Sequence, residues 1–365
     1  MTSKKINVAV VCGGRSGEHE VSLVSGCSVA KALDPERFNV KVIGISPGGS
    51  WFALDSEKIL SGELLPEQIS FSESLPFVEP KAHPSSQFLK NEKIDVVFPV
   101  LHGPYGEDGT IQGLFELANI PYVGSGVLGS SVGMDKDVSR RLLEHAGIPC
   151  VPTLYFRKTD GKSFAECAKE SFSSFGYPYF VKPANMGSSV GVHKVKGDSD
   201  AEKAFEDAFS YDNKILVEKG IPARELEVAV LEGNPMKVSC VGEIIPHHDF
   251  YSYEAKYKDE NGASLKIPAD LSTEARAELQ QLAGKAFKIL ELNGLARVDF
   301  FMDKNNGQIY LNEVNTMPGF TKISMYPKMM AASGVPYREL VGRLVDLAFE
   351  RHKGRAHLKT EFEGA

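Results

Sequence analysis

The sequence predicts an α/β protein of two or three domains, opening on a Rossmann-like domain with a parallel sheet. Three observations carry this. The run Ile6–Val11 is apolar but for Asn7 rather than alternating, the pattern of a strand buried on both faces of a parallel sheet. It passes through a glycine-rich loop, Cys12–Gly17, into a helical stretch from Val21 to Leu33, which makes a β-loop-α unit. The chain has 365 residues, 42% of them hydrophobic, long for one core and ample for two or three.

Composition narrows the function. Acidic and basic residues are interspersed at a net charge of −7, with no basic stripe and no polybasic run, so nucleic acid and membrane surfaces are not expected partners. The start Met1–Lys5 gives a basic flank, but the apolar run behind it meets glycines and charges too early for a signal peptide, and no stretch reads as membrane-spanning. Cys12, Cys27, Cys150, Cys167 and Cys240 are odd in number and lack Cys-x-x-Cys spacing, which suits reduced thiols in a cytoplasmic protein.

In the first third, strands are expected at Ile6–Val11, Phe38–Ile45 and Asp95–Leu101, with Ser46–Lys90 polar, proline-rich and uninformative. A dinucleotide fold would need glycine where Cys12 stands and an acidic residue closing the second strand, and neither is present. Glu18 stands where the first loop becomes a helix. The helix dipole alone stabilises a carboxylate there, but the carboxyl edge of such a sheet is also where ligands bind, so Glu18 could pair with an ammonium group. The loop His102–Gly109 leaves the same edge, which brings His102 to the same crevice.

The middle begins after a glycine- and serine-rich break at Gly124–Gly129, with a helix from Ser130 to Ala146. The strand Tyr179–Pro183 then runs into Ala184–Gly191, a glycine-rich loop that returns as another strand. Its N–H groups and the hydroxyls of Ser188 and Ser189 suit phosphate oxygens, with Lys136 and Lys182 as point charges for the same anion. No Gly-Lys-Ser/Thr precedes a helix, so it is not a Walker A loop, and by itself it reads rather as a hairpin tip; beside the Mg²⁺ hairpin of Ala296–Asn315 it reads as a phosphate loop. Lys214–Val217 and Arg224–Leu231 are further strands, with a crossing between domains at Glu218–Ile221.

Pro246–Pro268, rich in tyrosine and lysine, is too long for a passive connection and reads as a lid. A helix from Ser272 to Asn293, stopped by Gly294, leads into the hairpin Ala296–Asn315. Alternation places Arg297, Asp299 and Phe301 on one strand face, and Ile309, Leu311, Glu313 and Asn315 on one face of the return. Asp299, Glu313 and Asn315 form a hard-oxygen set that suits Mg²⁺. Two facing carboxylates would otherwise cost on the order of several kcal/mol each in a water-poor site. Thr316–Thr321 cannot continue the strand and turns beside that set.

Five segments, Gly17–Leu23, His102–Gly109, Lys182–Gly191, Tyr253–Tyr257 and Asn312–Gly319, together resemble the D-alanine–D-alanine ligase family in the family's order. The resemblance implies a three-domain ATP-grasp fold, with domains 1–128, 129–218 and 219–365. It implies ATP as co-substrate, two Mg²⁺ ions (or Mn²⁺) on Asp299, Glu313 and Asn315, two D-alanine molecules, a homodimer, and D-alanyl-D-alanine for peptidoglycan synthesis as product.

The resemblance also implies residue roles. Glu18 would hold the first ammonium group in a triad with Ser188 and Tyr257. Arg297 and the Gly319 N–H would stabilise an oxyanion, and Lys256 the transferring phosphoryl group. Lys136, Lys182 and Ser189 would meet the phosphates, Glu218 the adenine with backbone help from Lys219 and Ile221, and Glu225 the ribose. His102, Ser324 and Met325 would contact substrate, Met325 through its backbone. Relatives that make D-alanyl-D-lactate or D-alanyl-D-serine differ in the lid, and Tyr257 argues against them. A binding protein that has lost catalysis is disfavoured because the matched positions all hold usable residues.

Overall fold

The computed structural model describes residues 4–72, 75–78, 93–247 and 262–359. The first sheet holds β1 (Ile6–Gly13), β2 (Phe38–Ile45), β3 (Trp51–Ala53), β4 (Phe77–Val78) and β5 (Val96–Pro99) in the order β4-β3-β2-β1-β5. The expected apolar strand lies between β2 and β5, parallel to both. β3 and β4 add antiparallel at the edge, in the segment that the sequence left uninterpreted. At three and two residues they are too short to show a period, and pairing with β2 defines them.

The predicted helix Ser130–Ala146 is two helices, Val127–Met134 and Lys136–His145. Asp135 breaks them: it leaves helical geometry at ψ 100°, and its carboxylate accepts the N–H groups of Asp137 and Val138, both at 3.1 Å. The glycines taken as a boundary partly serve the first of these helices instead. A Cβ on Gly129 would sit 2.5 Å from the Glu291 carbonyl oxygen, and one on Gly133 2.7 Å from Thr316. Small residues there let the helix approach its neighbours closely.

The second sheet, β6 (Thr153–Arg157), β7 (Tyr179–Pro183), β8 (His193–Val195) and β9 (Lys214–Lys219), is antiparallel in the order β6-β9-β7-β8. The third holds β10 (Ala223–Leu231), β11 (Lys237–Pro246), β12 (Ala263–Lys266), β13 (Leu295–Asp303) and β14 (Ile309–Asn315), ordered β12-β11-β10-β13-β14. β12 lies inside the stretch read as one long connection; the rest of that lid, residues 248–261, falls outside the described residues. Ser272 caps the next helix through its hydroxyl, 3.2 Å from the Ala275 N–H, but the helix ends at Ile289, before the four residues that lead to Gly294.

Of the last helices, Met325–Ala332 packs on β10 and β11 of the third sheet, and Tyr337–Ala356 packs against β5 of the first. Met329, Leu340, Leu344 and Val345 share one buried cluster with Val8, Val10 and Phe98. The chain therefore returns to its beginning, and the turn after β14 is held against the edge from which the Glu18 and His102 loops emerge.

Candidate active site

The hairpin β13/β14 organises the site through a bulge. Asp299 pairs with Glu313 and Arg297 with Asn315, but Phe300 pairs with Leu311, so Asn312 is an extra residue without a partner of its own. This corrects the expected face. Ile309 and Leu311 are buried in the core with Val298 and Phe300, while Glu313 and Asn315 lie across from Arg297 and Asp299 on the other face. Plain alternation would have put Glu313 and Asn315 in the core.

Arg297 grips Asp299 with two nitrogens, each 2.7 Å from a carboxylate oxygen, and reaches Glu227 at 3.1 Å. The Asn315 amide nitrogen donates to Asp299 at 2.9 Å, so its oxygen is the atom that could hold a metal. Burial opposes the charge on Arg297, but Asp299 and Glu227 outweigh it and keep the guanidinium firmly protonated. Glu313, directly opposite Asp299, meets the Lys136 ammonium at 3.4 Å.

Three carboxylates thus face two cations, with an amide oxygen beside them. The residues fit a hard divalent cation completed by phosphate oxygens and water. Among the described residues no group of three His, Cys, Asp or Glu side chains is placed to hold a metal alone, so the amide and external oxygens are needed.

Lys136 and Lys182 stand together as expected, both nearly buried. The Lys136 ammonium donates to the Met186 carbonyl at 2.7 Å, under the glycine-rich loop. Lys182 pairs with Glu218 and approaches the amide oxygen of the bulged Asn312 at 3.4 Å. Burial lowers the Lys182 ammonium from its ordinary 10.5 to about 8, Glu218 opposing. Glu218 is also pushed up by burial, but Arg140 and Lys182 hold it below the usual carboxylate range. Its carboxylate, expected at the adenine, is paired with these two cations in this structure. The Lys219 N–H is itself donated to Pro152 at 3.0 Å, whereas Ile221 lies in the link to β10 and Glu225 half-buried on β10.

The glycine-rich loop lies against the Glu18 loop. Ser188 donates to Glu18, and Ser188 and Ser189 both have positive φ, at 49° and 61°, a strained backbone typical of ligand clamps. A Cβ on Gly187 would fall 2.5 Å from a Glu18 oxygen, so glycine is required for the approach. Two members of the expected triad are in contact; the third, Tyr257, and Lys256 lie outside the described residues.

His102 departs from expectation. It is 4% exposed, and both ring nitrogens are used, on the Met317 carbonyl at 2.8 Å and the Ser25 hydroxyl at 3.2 Å. It braces the turn rather than offering a free nitrogen to substrate. Glu107, not singled out from the sequence, works with it and accepts from Gly103 N–H at 2.9 Å, Met317 N–H at 2.8 Å and the Thr316 hydroxyl at 3.1 Å. Burial raises its carboxyl, with His102 and the two N–H donors opposing. Phe320 N–H donates to Ser25 and Thr321 N–H to Ser324, so the turn is held on both sides of Gly319. Ser324 stands at the N-cap position of the following helix without a side-chain cap bond, and the Met325 side chain is buried against Gly242.

Residues 7–125 match the family described as D-ala D-ala ligase N-terminus, and residues 142–346 match D-ala D-ala ligase C-terminus. The chain is 49% identical over 375 residues to D-alanine–D-alanine ligase A of Bradyrhizobium diazoefficiens, covering 97% of this chain and 98% of that relative. Among solved structures, the D-alanine-D-alanine ligase from Coxiella burnetii superposes with a TM-score of 0.81 at 36% identity, over 97% of each chain. The VanG D-Ala:D-Ser ligase from Enterococcus faecalis gives 0.81 at 35%, over 94% of this chain and 100% of that one. With both halves matched, a relative aligned nearly end to end and the hairpin, lysines and Glu18 loop gathered at one crevice, this chain belongs to the D-alanine–D-alanine ligase family and has its ATP-grasp fold.

Proposed function

We propose that this protein joins two D-alanine molecules into D-alanyl-D-alanine at the expense of ATP, for peptidoglycan precursor synthesis. The single observation that carries the reading is the convergence, in one crevice, of the Glu18–Ser188 pair with Lys136, Lys182 and the Asp299/Glu313/Asn315 face. A carboxylate oxygen of the first D-alanine attacks the γ-phosphorus, and the bond to ADP breaks. The amine of the second D-alanine then attacks the acyl carbon and loses a proton as phosphate departs.

Each residue has a task suited to its chemistry. Glu18, oriented by Ser188, pairs with the ammonium group of the first D-alanine. Lys136, Lys182 and Ser189 hold the phosphates from beneath and within the glycine-rich loop, while Ile221 and Glu225 receive the nucleoside. Arg297 and the Gly319 N–H face the developing oxyanion, which preorganised donors stabilise without reorganising. Ser324 and the Met325 backbone receive the second carboxylate; His102 and Glu107 keep that turn in place; Tyr257 and Lys256 complete the site from the lid. Asp299, Glu313 and Asn315 hold Mg²⁺, which supplies charge neutralisation at the phosphates.

The protein reads further as a cytoplasmic homodimer, supported for the compartment by five free cysteines and for the dimer by family resemblance. Phosphate release with ATP, Mg²⁺ and D-alanine tests the function, set against L-alanine, D-alanine plus D-lactate and D-alanine plus D-serine, with products identified by mass. D-alanyl-D-alanine as the preferred product is expected. A preferred depsipeptide or D-alanyl-D-serine product would overturn the substrate assignment, and no release at all would overturn the ligase.

A further inference from the structure

Arg140 takes part in none of the steps above, yet it heads the fully buried side chains by size, at 1% exposed. An unpaired guanidinium there would cost several kcal/mol, and an apolar side chain would fill the space more cheaply. Its contacts explain what it does. Its guanidinium bonds the Thr153 hydroxyl at the start of β6, pairs with Glu218 on β9, and donates at 3.0 Å to the carbonyl of Asn312, the extra residue of the β14 bulge. Among the described residues its Nε has no hydrogen-bond partner, so the grip is made by the two terminal nitrogens.

Arg140 and Lys182 meet the same oxygen of Glu218, and Lys182 also approaches the Asn312 side chain. One carboxylate therefore serves two cations, and the excess positive charge sits beside the glycine-rich loop, where an anion is to bind. The bulge that Arg140 holds by its carbonyl is the feature that turns Glu313 and Asn315 toward Asp299. Lys136, one turn earlier on the same helix, reaches Glu313.

We propose that Arg140 is a positioning residue for the nucleotide: by gripping Glu218 and the Asn312 carbonyl at once, it holds Lys182 against the β14 bulge, so that the phosphate lysine and the Asp299/Glu313 carboxylates engage one triphosphate. The inference rests on the ATP-dependent function proposed above. Failure of that function would show already in the unaltered protein, as no phosphate release; failure of this inference shows only in the variants.

The test compares Arg140→Met and Arg140→Lys with wild type in steady-state KM for ATP, KM for D-alanine, and ADP affinity by calorimetry. Methionine fills the space and leaves Glu218 paired one-to-one with Lys182. The expected result is a rise of about tenfold in ATP KM and ADP Kd with D-alanine KM within about twofold. Lysine recovers part of the loss, since one ammonium can keep Glu218 but cannot also bridge Asn312 and Thr153. A folded Arg140→Met protein with wild-type ATP KM overturns the proposal, as does a parallel rise in both KM values. Should the methionine variant not fold, Arg140→Lys decides on the same split: about threefold or more on ATP alone supports it, and no change overturns it.

Discussion

Lys182 should make nucleotide binding a proton-linked event. In the unfolded chain its ammonium loses a proton near 10.5, in the fold near 8, because burial disfavours the charge. Between those values the unfolded chain binds more protons, so this group's contribution to stability is present above 10.5 and is lost as pH falls through about 8. At about 1.4 kcal/mol per tenfold, the difference is about 3 kcal/mol. A triphosphate against the ammonium restores the charged form, so above pH 8 binding must take up a proton. The worked consequence is a Kd for ATP about tenfold weaker at pH 9 than at pH 7, with about 0.8 proton taken up at pH 8.5. The last proton of a phosphomonoester leaves near about pH 6, outside that window. Calorimetry at pH 8.5 in buffers of different ionisation heat counts the proton, and Lys182→Met should bind weakly at every pH without the slope. A Kd constant within about twofold from pH 7 to 9.5 would falsify this account.

Three other outcomes are expected. Asp299→Asn should lower kcat at least about a hundredfold while costing only about 1–2 kcal/mol in thermal unfolding, because Arg297 keeps Glu227; near-normal turnover would remove Asp299 from the metal set. Gly187→Ala puts a methyl group 2.5 Å from a Glu18 oxygen, so D-alanine KM should rise about tenfold with ATP KM changed less than about threefold; unaltered D-alanine kinetics would dissociate Glu18 from the ammonium. Tyr257→Phe should loosen the preference for D-alanine over D-lactate at the second site, read from product ratios by mass, and an unchanged ratio would count against the triad.

Strands with a strong local pattern were legible without a structure. Phe38–Ile45 was read to the residue, β1 from its largely apolar run, and the β13/β14 hairpin from its turn at Asn305–Gly307. Glu18, Ser188, Lys136 and Asp299 could be picked out from short segments of the chain, and the fold brings them to one crevice. What tertiary structure decided was phase and partnership. Alternation runs on undisturbed along a sequence, whereas a bulge exists only against a partner strand, so nothing local announced that Asn312 would move Glu313 and Asn315 off the face of Leu311. The strands β3, β4 and β12 are likewise too short to be seen before they pair. Glu107, His102 and Arg140 look like surface polar residues in the chain, and their meaning lies in acceptors and donors far away: Met317 for the first two, and Glu218 and Asn312, the latter 172 residues on, for the third. A buried charge is tolerated only where the fold brings it partners, and that condition is set by the assembled sheets rather than by any window of sequence.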